Sequence, residues 1–330
     1  MSRYVYMGSF PPPHGGVTVK NALLFDGLSS YLPLEKIDLA KVKQRKLHAV
    51  ISFVRELLRP SGVVIIGAAG PWRKRITKIL SLVNRKKMNR SLLFVMGGAK
   101  LEDESYAVAL SGYRAVYVET DSMKRDYESK GLDNVSVFPN CRRRPDTPTI
   151  PVNRSSRLSC VYFSLISEEK GALLTLDVAS LLPDVDFHMY GNIDHAIESV
   201  FLRRCNELDN VTYHGVFDSE KDDAIAELSK YDVHLFPSKC PNEGVPGVLV
   251  ETKMAAIPTI AFDRCFNAEI VQNGKTGYVI GDVSAESIVE ALEMLDSNRE
   301  RLFEMKQASL ESAEQFYLDS YLPSIIELMQ

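Results

Sequence analysis

Long apolar runs are missing from this sequence. No stretch approaches the roughly 18 to 20 residues that a bilayer-spanning helix needs. The opening residues, MSRYVYMGSF, have neither the basic start nor the long apolar core of a secretory signal. Cysteine is scarce: Cys141, Cys160, Cys205, Cys240 and Cys265 are odd in number, scattered, and form no Cys-x-x-Cys pair. That pattern reads as reduced thiols rather than a disulfide framework. The six histidines are scattered too, without the spacing of zinc ligands. No glycine turn forms the G-x-G-x-x-G dinucleotide fingerprint or the G-x-x-x-x-G-K-[ST] phosphate loop, so nicotinamide and ATP chemistry of those kinds lose support. The expectation left by these absences is a cytoplasmic globular chain with no structural metal.

What is present suits two domains. The chain has 330 residues, 45% of them hydrophobic and 25% charged, enough for two cores of roughly 150 residues each. The net charge of −4 hides an asymmetry: residues 1–150 hold 25 Lys/Arg against 13 Asp/Glu, and residues 151–330 hold 14 against 30. A basic first half suits phosphates, nucleic acid or an anionic membrane face, unless the charge serves solubility alone.

Short β-rich runs alternate with helical or loop segments. In the first half they are RYVYMGSF, PLEKIDL, GVVIIGAAG, LLFVMGG, RAVYVET and NVSVFPN; in the second, LSCVYFSL, DFHMYG, NVTYHGVF, DVHLFPS, PTIAFD and GYVIGD. Strands alternating with helices predict parallel sheets, and two such arrays predict an α/β chain of two doubly wound, Rossmann-like domains. The predicted layout is a domain over 1–140, a proline-bearing linker over 141–156 (CRRRPDTPTIPVNRSS), a domain over 157–308, and a C-terminal helix over 309–330 that packs back toward the first domain. Ligands of doubly wound sheets sit beyond the carboxyl ends of the strands. There the sequence places Gly8, Gly67, Gly70, Gly97, Gly98, Gly191, Gly215 and the stretch after Phe236-Pro237-Ser238.

That last stretch, PNEGVPGVLVETKMAAIP, carries Glu243 and Glu251 eight positions apart, with Gly244, Val245, Pro246 and Gly247 directly after the first. Pro246 suits the first turn of a helix through VLVETKMAA. A helix start offers free N–H groups and partial positive charge to a diphosphate. The two carboxylates could accept sugar and ribose hydroxyls, each charge-assisted bond being worth on the order of 1.5 to 3 kcal/mol. A solvated helix face produces such glutamate pairs as well.

The run YDVHLFPSKCPNEGVPGVLVETKMAAIPTIAFDRCFNAEIVQNGKTGYVIGD resembles the C-terminal signature of retaining glycosyltransferases of family 4, which have GT-B architecture, two such domains facing across a cleft. The Glu-x7-Glu pair, Ala256-Ile257-Pro258, Asn267 to Glu269 and Gly274 to Gly277 follow that family's order. Over the rest of the chain, Pro11 to Val17 looks like its N-terminal Gly-Gly loop, Phe138-Pro139-Asn140 like the end of its first domain, and Glu169-Lys170-Gly171 like its phosphate-binding lysine segment. The form Glu-Gly-x-Pro-Gly is most similar to enzymes that build capsular, exopolysaccharide or lipopolysaccharide chains.

The resemblance implies that Lys170 binds the donor diphosphate, Glu243 the transferred sugar beside the Gly244 to Gly247 amides, and Glu251 the ribose. It implies that Gly15 and Gly16 close over the phosphates and acceptor, that Gly191 and His214 to Val216 hold the base, and that Glu269 is a further donor contact. It also implies retention by front-face displacement, with the leaving phosphate helping to remove the acceptor proton and with no required metal. The expected partners are a nucleotide-sugar donor, UDP-linked, and a lipid-linked or glycan acceptor. The sequence departs from the family where Leu165 replaces an arginine five positions before the lysine, and where no histidine stands near Met96-Gly97-Gly98. Those departures keep open a non-catalytic nucleotide-sugar-binding or scaffold subunit, and the GT-B architecture leaves an epimerase or phosphorylase as a further alternative.

Other features have competing readings. Asp184-Val185-Asp186 imitates a metal-binding Asp-x-Asp but stands at a strand entrance, where turn chemistry is expected. His14 is either an acceptor-side acid or base or a plain loop histidine, and Asn267 and Glu269 either touch ligand or cap the following helix. Residues 71–90, PWRKRITKILSLVNRKKMNR, hold eight Lys/Arg and no acid. Trp72, Ile76, Ile79, Leu80 and Val83 recur there at helical spacing, giving either an ordinary crossover helix or a basic amphipathic helix for an anionic membrane. Nucleic acid is not expected, because no binding module or aromatic-basic interleaving is present.

Overall fold

The computed structural model describes residues 3–13, 15–97, 101, 104–145, 156–219, 221–241 and 243–329, apart from the Glu104 side chain. His14, Gly98 and most of the predicted linker lie outside the described residues. The chain forms two compact units, residues 1–144 with 316–330, and residues 145–315.

The first unit is built on β1 (Tyr4–Gly8), β2 (Leu34–Asp38), β3 (Val63–Ala68), β4 (Leu92–Val95), β5 (Ala115–Val118) and β6 (Val135–Val137), in the spatial order β2-β1-β3-β4-β5-β6 and parallel throughout. Runs such as VVIIGA and LLFV are buried at every position, as strands covered on both faces must be. Tyr6, Ile65, Phe94 and Tyr117 pack on Leu24 and Leu28 of the helix Gly16–Ser29, and on Leu318, Leu322 and Ile325 from the far end of the chain.

The second unit holds β7 (Ser159–Phe163), β8 (Asp186–Tyr190), β9 (Val211–Tyr213), β10 (Val233–Phe236), β11 (Thr259–Phe262) and β12 (Gly277–Ile280), ordered β12-β11-β10-β7-β8-β9 and again parallel. Its sheet is packed by the helices Ala172–Leu181 and Ala285–Ser297 through Val178, Ala179, Ile288, Leu292 and Leu295. Each sheet therefore reverses its winding between two central strands, β1 and β3 in one unit and β7 and β10 in the other. These switch points are where doubly wound sheets open a crevice for ligands.

Two local expectations change. The C-terminal stretch is not one helix: the helix Ala285–Ser297 ends at Asn298, whose side chain accepts from the Arg301 amide and starts the helix Arg299–Ser312. Two short 3₁₀ turns and the helix Leu322–Glu327 follow, instead of one helix over 309–330. The extended backbone of Tyr317 and the proline in the first turn of that last helix account for the interruption. The basic segment 71–90 also divides, at Asn84, into the helices Gly70–Val83 and Arg85–Met88. Asn84 caps the second with its carbonyl oxygen, while its amide donates to the Leu57 and Arg59 carbonyls. Arg73 and Lys87 are buried, so two of the eight cations are not on the surface.

Candidate functional site

The second unit's switch point carries the charged group. After β7 the chain runs through a loop to Lys170 and Gly171; after β10 it runs through Pro237 and Ser238 to Glu243. Lys170 Nζ forms an ion pair with Glu243 Oε1, and Ser238 Oγ donates to Glu243 Oε2 at 3.0 Å. Both charged side chains keep about a fifth of their surface exposed, 19% and 20%, so a ligand has access to a pair that is partly shielded from water.

The two loops are laced together by backbone. Lys239 N donates to the Glu169 carbonyl at 2.8 Å, and the Tyr162 hydroxyl, rising from β7, donates to the carbonyls of Leu165 (2.7 Å) and Lys170 (3.3 Å). Burial pushes the Tyr162 phenol well above its ordinary value, so it stays a donor. Gly171 has a φ of 80°, and a Cβ there would lie 2.3 Å from the Pro237 carbonyl oxygen. Only glycine permits both the left-handed turn and this approach.

Beside the pair begins the helix Gly247–Met254, with Pro246 as its N-cap residue and no side-chain cap on its first amides. The sequence reading put Pro246 inside the first turn. Its ψ of 132° is extended, so the helix starts one residue later. Gly244, Pro246 and Gly247 are half-buried and Val245 is buried. Glu251 lies one turn into this helix, half-buried. A helix start with no side-chain cap, four residues after Glu243, favours anionic ligand oxygens.

Gly191 and Gly215 end β8 and β9, with Gly191 N donating to the Gly215 carbonyl at 2.9 Å and Tyr213 Oη donating to the Gly191 carbonyl at 2.7 Å. Val216 is 65% exposed. Sequence reasoning missed the polar aromatic cluster next to them. His188 Nδ1 and His214 Nε2 are 3.0 Å apart, the Tyr190 ring stacks on His214 at 4.5 Å, and Tyr190 Oη donates to Glu227 at 2.7 Å. Burial, then the neighbouring His214, lowers the His188 pKa, and burial lowers that of His214. The available signal was the alternation in DFHMYG, which puts His188 and Tyr190 on one strand face.

The remaining expectations divide. Glu269 is exposed in the helix Asn267–Ile270. Asn267 does not cap that helix: Phe266 holds the cap position, and the buried Asn267 amide donates to the Phe262 carbonyl at 3.0 Å, anchoring the end of β11. Asp184 lies in the turn before β8, and Asp186 opens that strand, tied to Arg157 Nε at 2.8 Å. Gly15 and Gly16 belong to the first unit, exposed where the helix Gly16–Ser29 opens; Gly15 N donates to Thr18 Oγ1 at 3.0 Å. Leu165, where a cation was expected, is 43% exposed. Among the described residues no three His, Cys, Asp or Glu side chains gather as a metal cage.

Residues 151–312 match the family model described as Glycosyl transferases group 1. An uncharacterised 41.2 kDa protein in the cps region of Klebsiella pneumoniae is 26% identical over 140 residues, 42% of this chain and 37% of that protein, so the match spans little more than a third of its length. Among solved structures, Anabaena HepE in complex with UDP superposes with a TM-score of 0.74 at 12% identity, covering 98% of each chain. The apo lipopolysaccharide outer core galactosyltransferase WaaB gives 0.71 at 14% identity, covering 99% of each. The fold is thereby that of the GT-B glycosyltransferases, two parallel-sheet α/β units of six strands, and the family match supports glycosyltransferase chemistry.

Proposed function

We propose that this chain is a retaining family 4 glycosyltransferase that moves a sugar from a UDP-sugar to a growing cell-surface polysaccharide or lipopolysaccharide, on a lipid-linked acceptor at the inner membrane face. The observation that carries the reading is the Lys170–Glu243 pair at the β7/β10 switch point, beside an uncapped helix start. In this structure the two charges satisfy each other. A donor diphosphate takes over Lys170, which frees Glu243 to accept hydroxyls of the transferred sugar, while the amides at Gly247 and Val248 face the phosphate. Stabilisation of the departing diphosphate by fixed charge and amides is then the main catalytic term, and no metal is invoked. Glu251 is assigned to the ribose, and Gly191 with Val216 to the base. The complexes of HepE with UDP and with UDP-glucose support uridine as the base.

The direct test measures nucleoside diphosphate release from UDP-, GDP-, ADP- and dTDP-sugars, with and without lipid extract, on the native chain and on Glu243→Ala. Lipid-stimulated release from one donor, lost in the variant, is the expected result. Leu165 favours a second reading, a non-catalytic nucleotide-sugar-binding subunit, because an aliphatic side chain occupies the place of a phosphate ligand. Nucleotide binding without release from any donor would favour that reading.

A further inference from the structure

The helix Leu47–Leu58 has an apolar arc wider than its packing covers. Phe53 and Leu57 are buried, and Phe53 meets Trp72 of the helix Gly70–Val83 edge-on at 5.8 Å. Next to this buried edge, Leu47, Ile51, Val54 and Leu58, spaced i, i+4, i+7 and i+11, form one continuous stripe. Leu82 and Val83 join its end, because the Asn84 amide is held by the Leu57 and Arg59 carbonyls. All six side chains are between 46% and 76% exposed. Scattered exposed leucines are ordinary, whereas a contiguous apolar stripe marks a contact surface.

Its charge selects the contact. Residues 39–97 contain fourteen Lys/Arg and one acid, Glu56. Glu56 is buried and paired with Lys87, so this stretch presents no carboxylate to solvent. The acids on adjacent β2 are engaged, Glu35 by Arg3 and Asp38 by the Ala40 amide. A second copy would bring two strongly cationic faces together, and nucleic acid has no use for an aliphatic stripe. An anionic bilayer takes both features, aliphatic side chains below the headgroups and cations among the phosphates.

We propose that the helix Leu47–Leu58, with the end of the helix Gly70–Val83, docks the first unit on an anionic membrane surface. The stripe enters the interface, and Arg55, Arg75, Lys78, Arg85 and Lys86 sit at headgroup level. The inference deepens the membrane part of the proposed function and does not depend on sugar transfer.

The test is flotation of the full chain with vesicles of phosphatidylcholine alone or with about 30% phosphatidylglycerol. Binding to the anionic vesicles only is expected. Ile51→Asp with Leu58→Asp should weaken it by about tenfold or more, and Arg75→Glu with Lys78→Glu should weaken it and flatten its salt dependence. All four positions are on the surface, so the melting temperature should not move. The proposal is overturned if the native chain does not float, if the apolar double variant floats unchanged, or if light scattering finds a dimer that this variant converts to monomer. Donor-dependent release without lipid, measured on the same variants, separates the two readings. Lost flotation with intact release belongs to docking, and absent release with intact flotation counts against transfer.

Discussion

The two units share one architecture and treat its central crevice in opposite ways. In the first unit the β1/β3 switch point is filled. Asn21, fully buried, donates to the Ser9 and Gly67 carbonyls at 3.0 and 3.1 Å and accepts from Tyr6 Oη at 2.8 Å. A Cβ on Gly67 would lie 1.9 Å from the Asn21 oxygen, so glycine there makes room for the plug. In the second unit the β7/β10 switch point is accessible and ends in Lys170 and Glu243. Doubly wound topology creates a crevice, and one side chain decides whether that crevice is structural or available for chemistry.

Four experiments bear on this contrast. The largest effect is expected at a second polar lock of the first unit, the buried ion pair of Lys20 with Glu119 at 2.9 Å. Lys20→Met leaves a carboxylate in the interior and should cost about 3 to 5 kcal/mol in urea unfolding, while adding Glu119→Leu should recover most of it. An unchanged single variant would mean that the lock is solvated. Next is the accessible pair: Lys170→Ala should lower transfer about 10²- to 10³-fold, about 2.7 to 4 kcal/mol in the barrier, with little change in melting temperature. A fall in stability as large as the fall in rate would make that pair structural, like its counterpart. Asn21→Ala strips partners from buried carbonyls and should cost about 1 to 3 kcal/mol, read by the same unfolding assay.

The fourth effect, of similar size, concerns pH. Burial, then the nearby Lys275 charge, lowers buried Lys253 from 10.5 to about 8. Between those values the unfolded chain holds a proton that the folded chain has given up. Unfolding takes up that proton, so this residue's contribution makes stability rise with pH through the window and level off above it. Comparing the native chain with Lys253→Met from pH 7.5 to 10 should show a difference of about 1 to 3 kcal/mol developing across that interval. A constant difference would refute the depressed value.

Much of the fold was legible because parallel strands are buried on both faces. GVVIIGAAG and DVHLFPS read as strands from composition alone. The pairing of Lys170 with Glu243, 73 positions apart in sequence, was not, since it depends on β7 lying next to β10, an order that periodicity does not encode. Resemblance named both residues, and neither spacing nor charge could have joined them. His188 and Tyr190 were missed because each looks like ordinary strand filling until the fold stacks them on His214, the one member of the cluster that resemblance had named. The helix Leu47–Leu58 was opaque for the converse reason: its apolar residues form one wide arc, and only burial separates the packed edge from the open one. In 71–90 the charge count was correct, but it could not reveal that Arg73 and Lys87 point inward.

The return of residues 316–329 to the first unit imposes an order on synthesis. Leu318, Leu322, Ile325 and Met329 belong to the core built around β1, β3 and β4, yet they leave the ribosome after every residue of the second unit. The unit begun first is therefore completed last. Until its final turns arrive, the nascent chain carries a finished C-terminal sheet and an N-terminal sheet with part of its apolar surface uncovered, and it is at this stage that chaperone capture or misassembly competes with folding.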